Sequence, residues 1–241
     1  PIKGSNNMPA TPQQAKAPGQ TTNLDTKREA STIPQKGGQN TWQYPSPQMF
    51  WNALVRKDKA DGADETDMDT VVAVHNTMNE ATWSKILEWE KLREGPPPEL
   101  VRFTGRPNDL SPKALLKIYV FGHPKPFDRH DWVVSRGEEE RRYVIDYYSD
   151  EGLSDKDERP KTMHDYAALK SIAVDARPAL DSVGAVLDRV ATELGRELAQ
   201  VEVVGADAGA VAAGVSLSLA TDGGNLELPD VAELPDIGNS F

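Results

Sequence analysis

Histidine is scarce in this chain, four in 241 residues, and one of them falls where Met68, Val71, Val72, His75 and Met78 recur at the spacing of a single helical face. A neutral imidazole in apolar surroundings offers an uncharged lone pair while its neighbours exclude water, which is the chemistry of an axial ligand to a heme iron. The same placement suits a histidine that merely packs in a core, and spacing alone does not choose between the two. A second concentration of chemistry is the run Pro126-Phe127-Asp128-Arg129-His130-Asp131-Trp132, with two carboxylates, a guanidinium and an imidazole between aromatics. Such a set can orient an acidic group, relay a proton or tune a neighbouring imidazole. A loop entering a strand, with Asp capping a turn and Arg pairing to it, uses the same residues. Arg102, Arg106, Arg141 and Arg142 can each pair bidentately with a carboxylate, and Trp51, Trp83 and Trp89 can stack on a flat ring or fill a core.

Other chemistries lack their residues. There is no cysteine, so a thiolate metal site, a cysteine nucleophile and a disulfide framework are excluded, and any thiol must come from a partner. No glycine-rich phosphate loop with its lysine, no paired metal-ligand motif and no Gly-x-Ser-x-Gly elbow occurs. A formal net charge of -11 repels phosphate backbones and favours a basic partner.

The elements that must position these groups are readable in outline. Residues 1–40 mix Pro, Gly, Gln, Asn, Ser and Thr with few large apolar residues, and predict a disordered N-terminal arm. Aromatics begin at Trp42 and Tyr44, and all five tryptophans lie between there and Tyr148. Ser46-Pro47 is a helix start, followed by Met49, Phe50, Ala53 and Leu54 at helical spacing, which predicts a helix over 47–57. After an acidic loop, Asp67 is placed to cap a second helix carrying His75. Asn76 and Asn79 are expected to break or re-cap it before another amphipathic run through Trp83, Ile86 and Leu87 to Leu92. A short strand over 100–104, a helix from Ser111-Pro112 to about Val120, and a hairpin pairing 132–135 with 142–148 follow. An amphipathic helix is expected from Pro178 to about Gln200. Residues 41–200 thus form one α+β domain of several amphipathic helices with a short antiparallel hairpin, and 201–241 an acidic, Ala- and Gly-rich tail outside it. No stretch is long and apolar enough to predict a transmembrane segment.

Read together, YPSPQMFWNAL (44–54), VVAVHNTMNEATW (71–83), LEWEKL (87–92), LVRFTGRPNDLSPKA (100–114), PFDRHDWVVSRG (126–137), RRYVIDYY (141–148) and DARPALDSVGAVLDR (175–189) resemble the mitochondrial cytochrome c-type heme lyase (holocytochrome c synthase) family, in its order and spacing. With a weaker match at TKREASTIP, the resemblance spans about Leu24 to Val190. It implies a lyase that takes heme b as an iron-ligated substrate and joins it by thioether bonds to the Cys-x-x-Cys-His segment of apocytochrome c, or c1. It also implies the mitochondrial intermembrane space, peripheral on the inner membrane. The family's iron-ligating histidine falls on His75, and its second histidine, in a supporting catalytic role, on His130. Asn76, Asn79, Glu80 and Trp83 in the one segment, and Asp128 and Arg129 in the other, are implied to shape the heme site. Three features depart from the family pattern: no Cys-Pro motif in the arm, Asp58-Lys59-Ala60 where Gly-Trp often follows the first helix, and the acidic extension beyond Gln200. An alternative reading is a non-catalytic relative serving as a binding or assembly subunit of a mitochondrial complex.

Overall fold

The computed structural model describes residues 2–3, 8–9, 14–38 and 40–181, together with 185, 186, 189, 190 and 192. Two short antiparallel strands open it, β1 (Ile2–Lys3) and β2 (Met8–Pro9). A second antiparallel pair joins β3 (Ala30–Pro34) to β4 (Thr41–Gln43). Strand β3 corrects the expectation of a disordered arm throughout 1–40, because Ser31 and Ile33 alternate inward and are buried. Ile33 packs in the main core, and burial against a preformed surface supplies what the arm's own composition lacks.

Helix α1 (Pro47–Arg56) starts as the sequence predicts: the Ser46 hydroxyl accepts from the Met49 amide, and proline occupies the first turn. Its Phe50, Trp51 and Leu54 meet Met68 and Val72 in a small apolar cluster. Those two residues belong to α2 (Met68–Glu90), 23 residues or about 35 Å of continuous helix. Two expectations fail here. The Asp67 side chain makes no capping bond; a 3-10 turn, Glu65–Asp67, leads in, with Asp64 accepting from Thr66. Nor do Asn76 and Asn79 interrupt the helix. The Asn79 amide donates to the His75 carbonyl and the buried Asn76 amide to Glu29, so neither competes for helix N–H groups. Packing of Trp83, Ile86 and Trp89 carries the helix through.

The remaining strands build one antiparallel sheet in the order β5 (Glu99–Gly105), β6 (Asp128–Arg136), β7 (Glu139–Ser149), β8 (Ile172–Pro178). The expected hairpin is β6 and β7, longer at both ends and turned at Gly137, whose φ of 60° suits glycine. Trp132, Val134, Tyr143, Ile145 and Tyr147 of this hairpin cover the sheet face against α2. Between β5 and β6 lies α3 (Pro112–Phe121), capped by Ser111 and closed by left-handed Gly122. Strand β8 replaces the predicted start of a helix at Pro178, which instead ends a strand, and Leu180 is exposed. Residues 185, 186, 189, 190 and 192 are helical; the rest of that predicted helix and the tail over 201–241 lie outside the described residues. The whole is α+β, and among the described residues no helix is long and apolar enough to cross a membrane.

A buried carboxylate joins helix to sheet. Glu90 accepts from Arg93, from Arg136 of β6 at 2.6 Å and from the Tyr143 hydroxyl of β7. Burial alone would raise its pKa, but hydrogen bonds from Tyr143, Arg136 and Arg93 outweigh that and hold it below the usual carboxylate range. A depressed folded-state pKa contributes stability above the unfolded value of about 4.3 that is lost as pH falls through the folded one. Glu90→Gln should therefore cost about 3 kcal/mol at neutral pH. In urea titrations the gap from wild type should shrink below pH about 4; a gap constant with pH would contradict the assignment.

Candidate functional site

His75 lies in the third turn of α2, and its ring is set by neighbours from three elements. Phe50 of α1 meets it edge-on at 5.9 Å between ring centres. Asn79, one turn on, places its amide nitrogen 3.1 Å from His75 Nδ1. Across from α2, β6 brings His130 and Asp128 close enough to act on it electrostatically: the His75 pKa falls to about 3, through burial first and the neighbouring His130 second, with Asp128 opposing. The imidazole is neutral at physiological pH, its lone pair uncontested by a proton. If Nδ1 accepts from Asn79, the ring proton sits on Nε2; a half-turn of the amide would present its oxygen to a protonated Nδ1 and leave the Nε2 lone pair for a metal.

His130 is buried, its Nε2 3.0 Å from Asp128 and its ring edge-on to Tyr147 at 5.5 Å. Nδ1 is buried and lacks a hydrogen-bond partner among the described residues. The strand alternation divides the run 126–132 between two faces. Asp128, His130 and Trp132 stand opposite Tyr147, Ile145 and Tyr143, on the face toward α2. Arg129 and Asp131 point the other way. There Arg129 donates to the Asp109 carbonyl and to Asp131, which also pairs with Arg106 and Arg142. Arg129, Arg106 and Arg142 are therefore not brought to His75, and Arg102 is exposed on β5.

The other expected residues of α2 serve the helix's docking. Glu80, 1% exposed, accepts from the Ser31 hydroxyl at 2.6 Å, the Thr32 amide at 3.0 Å, the Thr32 hydroxyl and the Tyr44 hydroxyl at 2.9 Å. This ties α2 to β3 and to the residue after β4. Asn76 faces an open polar groove of about 300 Å3 between residues 25–29 and 159–163. Trp83 is buried in the main core, as is Trp89, whose indole donates to the Ala176 carbonyl; Trp51 packs in the smaller cluster.

Sequence reasoning missed an aromatic wall beside Asn79. Trp42, Phe103 and Trp132 form a chain of rings with centres 5.9 and 6.1 Å apart, lining a small apolar cavity of about 20 Å3 with Asn79, Tyr44 and Leu100. The indole N–H groups of Trp42 and Trp132 are buried without a partner among the described residues, two donors awaiting acceptors. The cavity has room for about one water, far below a ligand cleft of roughly 300–1,000 Å3, and its Trp42 wall is carried on the three-residue strand β4. Aromatic density after Trp42 was the available signal, but only strand register joins Trp42, Phe103 and Trp132. Among the described residues no group of three or more His, Cys, Asp or Glu is arranged to hold a metal ion. A single neutral imidazole suits a metal that brings its own equatorial ligands, as iron does in a porphyrin.

Comparison with known sequences decides the family. The family model for cytochrome c/c1 heme lyase matches residues 2–95 and 91–193. The chain belongs to the cytochrome c/c1 heme lyase family. Among members of this family, it is 43% identical to the human holocytochrome c-type synthase over 77% of this chain and 66% of that protein. It is 41% identical to the probable holocytochrome-c-type synthase of Caenorhabditis elegans over 78% of this chain and 66% of that one. With the Saccharomyces cerevisiae holocytochrome-c synthase it shares 41% identity, over 81% of this chain and 77% of the yeast protein. The matched stretch thus spans just under two thirds of the length of the human and worm lyases. No solved structure matches the chain.

Proposed function

We propose that this chain is a holocytochrome c synthase, a lyase that binds heme as substrate and attaches it covalently to apocytochrome c, or to apocytochrome c1. The observation that carries the proposal is the His75 ring: neutral by burial, oriented by Asn79 and Phe50, and within electrostatic reach of Asp128 and His130. In this reading His75 is one axial ligand of the heme iron, and the histidine of the substrate's Cys-x-x-Cys-His segment is the other. The two substrate thiols then lie against the two vinyl groups, and proximity lowers the barrier. For each thioether one S–C bond forms, one S–H bond breaks and the proton ends on the other vinyl carbon, so no redox partner is consumed. In the same reading the Asp128–His130 pair would carry that proton, with Asp128 orienting the ring through Nε2. On the same reading the protein works in the mitochondrial intermembrane space, peripheral on the inner membrane.

Co-expression with apocytochrome c, followed by a covalent-heme stain, tests the proposal. A stained cytochrome band that depends on His75 is expected; heme bound to this chain with no transfer would favour the non-catalytic subunit. Asn79 gives a finer test. Asn79→Leu removes the group that orients His75, and should weaken heme binding by about 10- to 100-fold, the usual effect of losing a ligand's hydrogen-bond partner. Spectral heme titration measures it, and unchanged affinity would remove Asn79 from the site.

A further inference from the structure

Helix α3 is rich in apolar residues yet buries only Ala114. Pro112, Leu115, Leu116, Tyr119 and Val120 fall at i, i+3, i+4, i+7 and i+8, one continuous stripe, and that stripe faces outward. Leu116 is 52% exposed, Val120 63% and Tyr119 79%, with Phe121 at the helix end 65% exposed. The helix is nonetheless firmly anchored. Its cap Ser111 donates to buried Asp146 and accepts from Arg177, while Lys113 and Lys117 reach Asp175 of β8. A rigidly held helix whose apolar stripe points into water is built for a surface it meets elsewhere.

Charge selects the surface. From Leu110 to Phe127 the chain carries Lys113, Lys117, Lys125 and His123 and no acidic residue; Lys113 and Lys117 share the one carboxylate of Asp175, so the segment keeps a net positive charge in a chain of formal charge -11. An anionic surface repels such a protein everywhere except through a locally basic segment. Leucine, valine, tyrosine and phenylalanine flanked by lysines is the composition of a helix lying in a bilayer interface, its aromatic rings at headgroup depth and its lysine stems along the apolar layer.

We infer that α3 is the element by which this protein lies on an anionic lipid bilayer, with Leu115, Leu116, Tyr119, Val120 and Phe121 entering the interface. This deepens the membrane association proposed above and rests on it. The helix ends seven residues before Asp128, so docking by α3 sets the Asp128 and His130 end of the sheet near the lipid, from which an apolar macrocycle can enter.

The test is co-sedimentation of the full chain with phosphatidylcholine vesicles and with mixed phosphatidylcholine–phosphatidylglycerol vesicles, for wild type and for Tyr119→Ser/Val120→Ser/Phe121→Ser. These side chains are exposed, so the variant should keep the wild-type circular dichroism and melting curve. The expected result is salt-sensitive binding of wild type to the mixed vesicles only, weakened about tenfold or more in the variant, with both proteins equally monomeric by sedimentation velocity. Absence of wild-type binding would overturn the membrane association itself. Equal binding by both proteins would overturn the role of α3 alone. Self-association of wild type, lost in the variant, would assign the stripe to a second copy and overturn the inference. Covalent attachment of heme in lipid-free solution is a separate readout, and its failure would bear on the proposed synthase activity, not on α3.

Discussion

A His75→Ala variant should co-purify without heme and leave apocytochrome c unstained, while folding like the wild type. The ring touches Phe50 and Asn79 but belongs to neither apolar cluster, so its removal costs little packing. Losing only the group that orients a ligand costs about 10- to 100-fold in affinity, so losing the ligand itself should cost on the order of 100-fold or more. Imidazole added to the medium should restore part of the heme spectrum by occupying the vacated space. The pH profile gives an independent check. In the wild type a proton does not contest the ring until far below its ordinary pKa of 6.5, so the heme spectrum should persist to pH about 5, where an exposed histidine would already be protonated. In the apo protein the sign is the same as for Glu90, and only the pH window differs. The unfolded ring takes up a proton below about 6.5 that the folded ring refuses down to about 3, so His75 drains stability as pH falls through that interval. His75→Ala should flatten that part of the acid stability curve. A variant that binds heme normally, or an apo protein whose acid profile ignores the substitution, would remove His75 from the centre of the site.

Glu80→Gln should be the most damaging single change among the polar residues around the site. Four donors from three residues converge on this carboxylate, and among the described residues no cation pairs with it. The Tyr44 phenol is held protonated, its ionisation made harder by burial and by the Glu80 charge, so it donates throughout the physiological range. Glutamine keeps one acceptor oxygen and presents an NH2 group in place of the other, so the hydroxyls must turn to accept from it while the Thr32 amide competes for the single remaining oxygen. Hydrogen bonds to a charged group contribute about 1.5–3 kcal/mol each, and stranding buried donors adds a desolvation cost, so a loss of about 3 kcal/mol is expected. That corresponds to a melting temperature lower by about 6–12 °C for a chain of this size. Tyr44→Phe removes the bond to Glu80 and the longer one accepted from Ser31, leaves Ser31 and Thr32 on the carboxylate, and should cost about 1–2 kcal/mol. Because β3 then no longer grips α2 one turn beyond His75, heme transfer should fall with stability in both variants, more steeply in Glu80→Gln. Thermal unfolding and the covalent-heme stain together decide this; a Glu80→Gln protein as stable as wild type would mean the carboxylate is not the clamp its geometry describes.

Local signals located the helices well where their causes were local. Ser46-Pro47 and Ser111-Pro112 each pair a capping hydroxyl with a proline preset for the first turn, and both helices begin there. Alternating aromatic and β-branched residues marked the β6 and β7 hairpin for the same reason. The errors share a cause as well. Asn76 and Asn79 read as breakers because their intrinsic preference is for caps, yet Glu29 and the His75 backbone engage them and core packing keeps the helix intact. Ser31 and Ile33 read as tail because nothing nearby in sequence gives them something to pack on. Residues 172–178 carry no clean alternation, so β8 became visible only as the partner of β7.

By itself the sequence determined the family, through seven ordered runs that chance does not assemble, together with the candidate imidazole at position 75 and the starts of α1 and α3. Only the tertiary structure decided that Asp128 and His130 join His75 while Arg129 and Asp131 turn away, that Glu80 is a clamp to β3, and that Trp42, Phe103 and Trp132 share one wall. Helical caps and periodicities are written within a few neighbouring residues. Which strand faces which helix depends on register between segments far apart in the chain, where a shift of one residue exchanges every side chain's face.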